Sequence, residues 1–219
     1  MKIYQSQYGQ DEYLDKRIFG GKENGVYIDI GANDGVTLSN TWFFEKHRNW
    51  TGICVEPIPE TFRKLTENRD SININGCITS ATGGQKFLHV TGYAEMLSGL
   101  VGAYNDKHLD RIDREIAMHG GTKEIIDVDS YSINDLITQY QLGTVNYCSI
   151  DTEGNEFEIL MSIDFGQTRI EVLTVENNYS DPDVSAYMKK EGYRRLKKIA
   201  CDEVFVLRDL PVPTRWKFW

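Results

Sequence analysis

Along the chain, short apolar runs bounded by turn residues alternate with longer stretches of helical periodicity. The runs are Val26 to Ile30, Gly52 to Val55, Ile72 to Ile78, Val145 to Ile150 and Ile170 to Val175. Their shortness and their content of Val and Ile mark them as buried strands. Helical stretches follow several of them: Ser39 to His47 after the first, Pro59 to Asn68 after the second, and Glu156 to Ile163 after the fourth. Strands apolar on both faces, alternating with helices, form a parallel sheet covered on both sides. After the fifth run the pattern changes. Asp183 to Glu191 reads as a helix broken by Gly192, and Tyr193 to Ala200 and Val204 to Leu207 are two further runs separated only by Cys201, Asp202 and Glu203. So short a connection forces an antiparallel pair, because a parallel crossover needs about a dozen residues or more. The expected architecture is α/β: one seven-stranded sheet of five parallel strands finished by a C-terminal antiparallel hairpin, with helices on both faces and residues 1–219 in a single domain.

Between the third and fourth runs, Ala81 to Gln141 is richer in Gly and in charge. Within it, Tyr104 to His119 has the pattern of an amphipathic helix, Glu124 to Val128 that of a strand, and Ser132 to Tyr140 that of a helix opened by a Ser cap. A loop-rich insertion before the fourth strand is a natural lid or substrate wall. A surface elaboration with no part in binding has the same composition.

Composition narrows the partners. The chain of 219 residues carries 24 Lys and Arg against 33 Asp and Glu, a net charge of −9, and no basic run exceeds a pair. This argues against nucleic acid, which needs a sustained basic surface. No stretch approaches the roughly 18 apolar residues of a membrane span, and the N-terminus lacks an apolar signal core. The expectation is a soluble, cytoplasmic protein that is neither secreted nor membrane-bound. Cys54, Cys77, Cys148 and Cys201 form no C-x-x-C pair and have no His in ligand spacing, so they read as reduced core residues rather than zinc ligands or disulfides.

The most specific local pattern is Val26 to Gly35, an apolar strand running straight into a small-residue turn. Gly31 and Gly35 allow the backbone to turn sharply and approach a ligand closely. Their spacing is G-x-x-x-G rather than G-x-G-x-x-G, and no lysine follows, so neither a dinucleotide fingerprint nor a P-loop is present. The turn instead carries Asp29 and Asp34, which would repel a phosphate and suit a cation bearing ammonium and sulfonium groups. Glu56 ends the next strand about 20 positions after Gly35, where a carboxylate accepts hydrogen bonds from both hydroxyls of an unphosphorylated ribose. The two signals together point to an adenosine-type cofactor.

At these residues the chain resembles the FkbM-type family of S-adenosylmethionine-dependent methyltransferases. The resemblance lies in YIDIGANDG (27–35), GICVEP (52–57) and YCSIDTEGNEFEIL (147–160), with SQYGQDEYLD (6–15) and IEVLTVEN (170–177) also similar. It is weakest between Phe87 and Val128, where only Leu97-Ser98-Gly99 matches. The family implies a Rossmann-like class I methyltransferase sheet with S-adenosylmethionine at the carboxyl ends of the first two strands. By that match Asp29, Gly31, Asn33 and Asp34 line the methionyl side and Glu56 the ribose, with Ala32, Gly35 and Pro57 in the same two segments. The family also implies O-methylation of a hydroxyl on a sugar, glycan or natural product. Cys77 and Ile78, after the third strand, are the candidates to bracket adenine with a backbone amide and an apolar face. Gln7, Gln10 and Asp11 either fold over the cofactor's carboxylate end or belong to an N-terminal helix cap at Ser6 or Gly9.

The fourth strand ends in two carboxylates, Asp151 and Glu153, where open α/β sheets place their ligands. Methyl transfer from a sulfonium is an in-line displacement that depends mainly on alignment. A hydroxyl acceptor must also lose a proton, and a carboxylate in a desolvated cleft is tuned upward to take it. Asp151 is expected to project toward the methyl group and Glu153 toward the substrate mouth; either is the base, or both orient the acceptor. Glu153 capping the next helix is the alternative. Glu176 and Asn177 face the same rim. Asp151, Glu153 and Glu176 are oxygen donors of the type magnesium takes, but no spacing requires a metal and none is assigned.

Of the histidines, His47 sits near a helix end, and His89, His108 and His119 lie in or near the insertion, beside Tyr93 and Tyr104 as candidate substrate contacts. Two other functions compete. A metal-dependent glycosyltransferase would use Asp127-Val128-Asp129 but leaves Gly31, Gly35 and Glu56 unexplained. A non-catalytic binding module of the same fold leaves Asp151 and Glu153 unexplained.

Overall fold

A computed structural model describes residues 3–104, 106–178 and 180–212. In chain order the strands are β1 (Val26–Ile30), β2 (Thr51–Glu56), β3 (Ile72–Asn75), β4 (Cys77–Thr79), β5 (Gly83–Val90), β6 (Gly99–Leu100), β7 (Lys123–Ser132), β8 (Val145–Ile150), β9 (Ile170–Glu176), β10 (Tyr193–Ile199) and β11 (Asp202–Leu207). The helices are α1 (Gln10–Leu14), α2 (Trp42–Arg48), α3 (Pro59–Asn68), α4 (Asp106–His119), α5 (Ile133–Gln139), α6 (Glu156–Ser162) and α7 (Pro182–Lys190). Among the described residues no helix is long and apolar enough to cross a membrane.

Seven strands pair in the order β10-β11-β9-β8-β1-β2-β3. Five are parallel, and β11 lies antiparallel between β9 and β10. Each central strand sends alternate side chains to opposite faces, as the pleat requires. Tyr27, Cys54, Tyr147 and Val172 pack with Leu14, Phe43, Phe44 and Leu65 of the N-terminal helices. Ile28, Ile53, Cys148 and Leu173 pack with Leu136, Ile159, Leu160 and Met188 of the C-terminal ones. Because both faces are buried, the strands read as unbroken apolar runs.

The expected third strand, Ile72 to Ile78, is two strands. It breaks at Gly76, where a Cβ would lie 2.6 Å from the Asp129 carbonyl oxygen and 2.7 Å from the Tyr131 ring. Only a glycine lets the chain pass so close, and beyond it β4 leaves the main sheet to pair with β7. The expected loop-rich segment is likewise corrected. It holds a second, four-stranded sheet in the order β4-β7-β5-β6. The strand expected over Glu124 to Val128 is twice that length, and its partner β5 was missed, because half-exposed strands such as Gly83-Gly84-Gln85-Lys86 carry little apolar signal. Ser132 does cap α5, its hydroxyl accepting from the Asp135 amide at 3.4 Å. Helix α4 packs on this second sheet through Ile112 with Leu88, Val90, Ala94 and Leu97.

Candidate active site

The order of the strands makes the gap between β1 and β8 the point where connections run off in opposite directions, which opens a crevice at their carboxyl ends. The backbone there is tightly pinned. Gly31 and Ala32 amides both donate to the Val55 carbonyl, at 3.1 and 3.0 Å, and the Asp151 amide donates to Ile30 at 3.0 Å. Gly31 has φ +86°, and a Cβ there would sit 1.8 Å from the Asp151 carbonyl oxygen, so no other residue fits. Glu56 joins the two turns. One carboxylate oxygen accepts from the Asn33 amide at 3.1 Å and the other from the Ile58 amide at 2.9 Å. Burial pushes its pKa up to about 7, against those two hydrogen bonds.

From this floor runs a cleft of about 810 Å³. Its far end is apolar, walled by Pro57, Ile58, Cys77, Ile78, Phe87 and Leu100, and its near end reaches Asp151 and Glu153. A second cleft of about 510 Å³ continues from it, sharing Gly31, Asn33, Met96 and Asp151, and is walled by Gln10, Asp29, Ala32, Glu176 and Asp202. Of the residues expected to bind cofactor, the structure thus brings Gln10, Asp29, Gly31, Ala32, Asn33, Glu56, Pro57, Cys77 and Ile78 to the two clefts, together with Asp151. Asp34 and Gly35 lie outside both. Asp34 is occupied in its own loop, accepting from the Val36 and Thr37 amides at 2.9 and 2.7 Å and from the Thr37 hydroxyl at 2.7 Å. Gly35 faces the protein interior, where a Cβ would meet Arg69 at 2.6 Å.

Gln7 and Gln10 also line the second cleft. Gln10 donates to Asp202, whereas Asp11 turns inward and accepts from the Gln5 and Ser6 amides and the Ser6 hydroxyl. Cys201 stands in the β10–β11 turn and lines this cleft; the other three cysteines are buried in β2, β4 and β8, and all four are free.

The rim is acidic. Among the described residues no Lys or Arg lines either cleft. Burial and the neighbouring Glu176 and Asp202 raise the Asp151 carboxyl well above its ordinary range. Burial and Asp151 push Glu153 up to about 8, and burial and Glu153 push Glu176 to about 8. Such a site gains by taking up positive charge. A flat apolar group at the far end, a diol at Glu56 and a cation at the acidic end match this arrangement.

Beyond Glu153 a third cavity, of about 720 Å³, lies between α4 and the β8–α6 and β9–α7 turns. Its wall holds Tyr104, His108, Phe157 and Asn177, and it shares Glu153 with the first cleft and Glu176 with the second. Glu153 does not cap α6. Glu156, the first residue of the helix, accepts from the Thr152 amide and hydroxyl at 3.0 Å and the Gly154 amide at 2.9 Å and so pins the turn before α6, whose N-cap Asn155 makes no side-chain cap bond, while Glu153 lines the cavity. Glu156, Asp202 and Met96 were not anticipated. The sequence signal for Asp202 was only a polar pair breaking two apolar runs, and for Met96 there was none.

Among the described residues no group of three or more His, Cys, Asp or Glu is arranged to hold a metal ion. The Asp127-Val128-Asp129 motif is excluded as a binding pair at this site. Both acids lie on the exposed face of β7, and Asp127 pairs with Lys86 at 2.7 Å. His47 stacks on Phe43, His89 lies 3.6 Å from Glu124, and His119 packs on Tyr93, which is exposed.

Residues 29–195 match the model of the methyltransferase FkbM domain. Among solved structures, the chain is similar to precorrin-6y C5,15-methyltransferase from Geobacter metallireducens, with 12% identity over 84% of this chain and 80% of that one, at a TM-score of 0.39. It is also similar to M. jannaschii TYW2 in complex with AdoMet, with 17% identity over 94% of this chain and 79% of that one, again at 0.39. Both likenesses are distant. No curated protein matches the chain.

Proposed function

This chain belongs to the FkbM methyltransferase family and uses S-adenosylmethionine, and we propose that it methylates a hydroxyl of an uncharged, polyhydroxylated acceptor such as a sugar, a glycan or a natural product. The observation that carries the reading is the placement of Glu153, which walls both the donor cleft and the third cavity. S-adenosylmethionine supplies an electrophilic methyl group on a sulfonium. Ile58, Cys77, Ile78 and Phe87 bracket its purine, Glu56 accepts from the ribose hydroxyls, and Asp29, Asp151 and Asp202 face the cationic methionyl half. The acceptor enters the third cavity beside Tyr104 and Phe157, whose rings suit the apolar face of a sugar. Asp151 aligns the methyl group and Glu153 takes the hydroxyl proton, its pKa lying near the working range of a general base. Phe87, Met96 and Leu100 from the Ala81 to Gln141 segment close the cleft, which supports its reading as a lid. The acidic rim repels a phosphorylated acceptor, and a nucleic acid equally.

Incubation with methyl-labelled S-adenosylmethionine, a panel of neutral glycosides and polyols, and the matching sugar phosphates tests this. The expected product is a label in an alkali-stable ether on a neutral acceptor. Preference for the phosphates, or transfer to an amine, thiol or carboxylate instead, overturns it.

A further inference from the structure

Asn155, the residue before α6, lines the first cleft and is 3% exposed. An asparagine in this position ordinarily turns its amide oxygen onto a backbone amide at the start of the helix, since that donor has no partner within the helix. Asn155 makes no such bond. Its Nδ2 donates instead to the carbonyl of Ile78 in β4, at 3.2 Å. A carbonyl only accepts, so this bond fixes which end of the amide is nitrogen and which is oxygen. Oδ1 is therefore an obligatory acceptor, and it is buried with no hydrogen-bond partner. The bond to Ile78 sets it at the apolar end of the cleft, where Ile58, Ile78, Phe87 and Leu100 offer no side-chain donor. A buried acceptor left empty in this way is costly unless a ligand fills it.

We infer that Asn155 reads the purine of the methyl donor, its Oδ1 accepting from the exocyclic 6-amino group. This rests on the reading of the apolar end of the cleft as the purine site. Apolar walls hold any flat ring and tell one purine from another poorly, whereas a buried acceptor rejects a ring that brings it no donor. Adenine presents N–H at its position 6, and a 6-oxo purine presents an oxygen there. Against Asn155 the oxo group would set two acceptors face to face. Turning the amide over to meet it would bring Oδ1 against the Ile78 carbonyl in place of Nδ2, so one clash would replace the other. The residue thus gives an otherwise apolar pocket its selectivity for adenine.

Calorimetry with three ligands tests this without any acceptor. They are S-adenosylhomocysteine, its 6-deamino analogue, in which hydrogen replaces the amino group, and S-inosylhomocysteine, which carries the 6-oxo group. The wild-type protein is expected to bind the first about tenfold more tightly than the second, and the third more weakly than the second. In Asn155→Leu the first two should bind within about twofold of each other. Equal wild-type affinity for those two, or a preference kept at about tenfold in Asn155→Leu, overturns the assignment and leaves the cleft as the donor site. Failure of S-adenosylhomocysteine to bind the wild-type protein overturns both. If the leucine variant does not fold, Asn155→Ser takes its place. Serine serves equally well before a helix, but its side chain is too short to carry an oxygen to where Oδ1 stands, so the preference must be lost there too.

Discussion

Two groups of buried acids lie against the same sheet and are treated in opposite ways. Behind β1, Glu45 is met by Arg69 at 2.8 Å, and the guanidinium also donates to the Gly35 carbonyl at 3.0 Å and to the Tyr27 and Thr41 hydroxyls at 2.8 and 2.9 Å. Burial opposes the charge there, but Arg69 and the surrounding hydrogen bonds overcome it and hold Glu45 down at about 2. At the strand ends, Asp151, Glu153 and Glu176 crowd together beside Asp202 and Glu156, and burial and mutual repulsion raise all three despite the Arg111 charge near Glu153. The first group completes the fold by itself. The second carries no such cation, and in the proposed function the cationic methyl donor takes the part that Arg69 plays behind β1.

The contrast breaks most visibly if the cation behind β1 is removed. Arg69→Met leaves Glu45 and Asp29 buried without their counter-charge, and is expected to cost about 3–5 kcal/mol in urea unfolding. A loss under about 1 kcal/mol would mean that the network is not compensated in the sense described. Glu153→Gln goes the other way. It relieves repulsion in the ligand-free protein, so thermal stability at pH 8 should hold or rise, while methyl transfer to the acceptor falls roughly 10²–10⁴-fold. A drop in both would place Glu153 with the structural group.

The pH dependence follows from the same difference. Glu56, Glu153 and Glu176 have folded-state pKa values of about 7, 8 and 8 against an ordinary 4.5. The folded protein therefore keeps protons that the unfolded chain has lost. Their contribution to stability is present below 4.5 and is lost as pH rises through 7 to 8. Melting temperatures of the ligand-free protein should fall over that window. Over the same window the affinity for S-adenosylmethionine should rise relative to S-adenosylhomocysteine, which lacks the positive charge, and calorimetry of both ligands reads the ratio. A ratio independent of pH would show that the rim does not sense the sulfonium.

Smaller effects sharpen the boundary of the site. Glu56→Gln keeps the shape but weakens charge-assisted bonds to the ribose, each worth about 1.5–3 kcal/mol, so donor affinity should fall by about tenfold or more. Asp34→Ala should cost about 1 kcal/mol in stability through the lost loop bonds and leave donor affinity within about twofold. A large affinity loss would return Asp34 to the site.

Much of this was legible along the chain, because parallel strands buried on both faces read as continuous apolar runs and their ends carry the groups that line the clefts. Asp29, Gly31, Asn33, Glu56, Asp151 and Glu153 all follow directly from a strand ending. Gly35 and Asp34 looked equivalent to their neighbours, and only the inward direction of one and the closed hydrogen bonds of the other set them apart. The second sheet escaped because strands with one wet face, cored by Ser130 and Ser132 as much as by Phe87 and Val128, lack a strong period.

The sequence by itself determined the order of strands and helices and which acids stand at the strand ends, since both are local properties of alternating burial and turn chemistry. Only the tertiary structure decided which buried acids have a cation bonded to them. Arg69 lies about as far along the chain from Glu45 as Glu153 does from Glu176, and yet the fold closes the first pair with a positive charge and leaves the second without one.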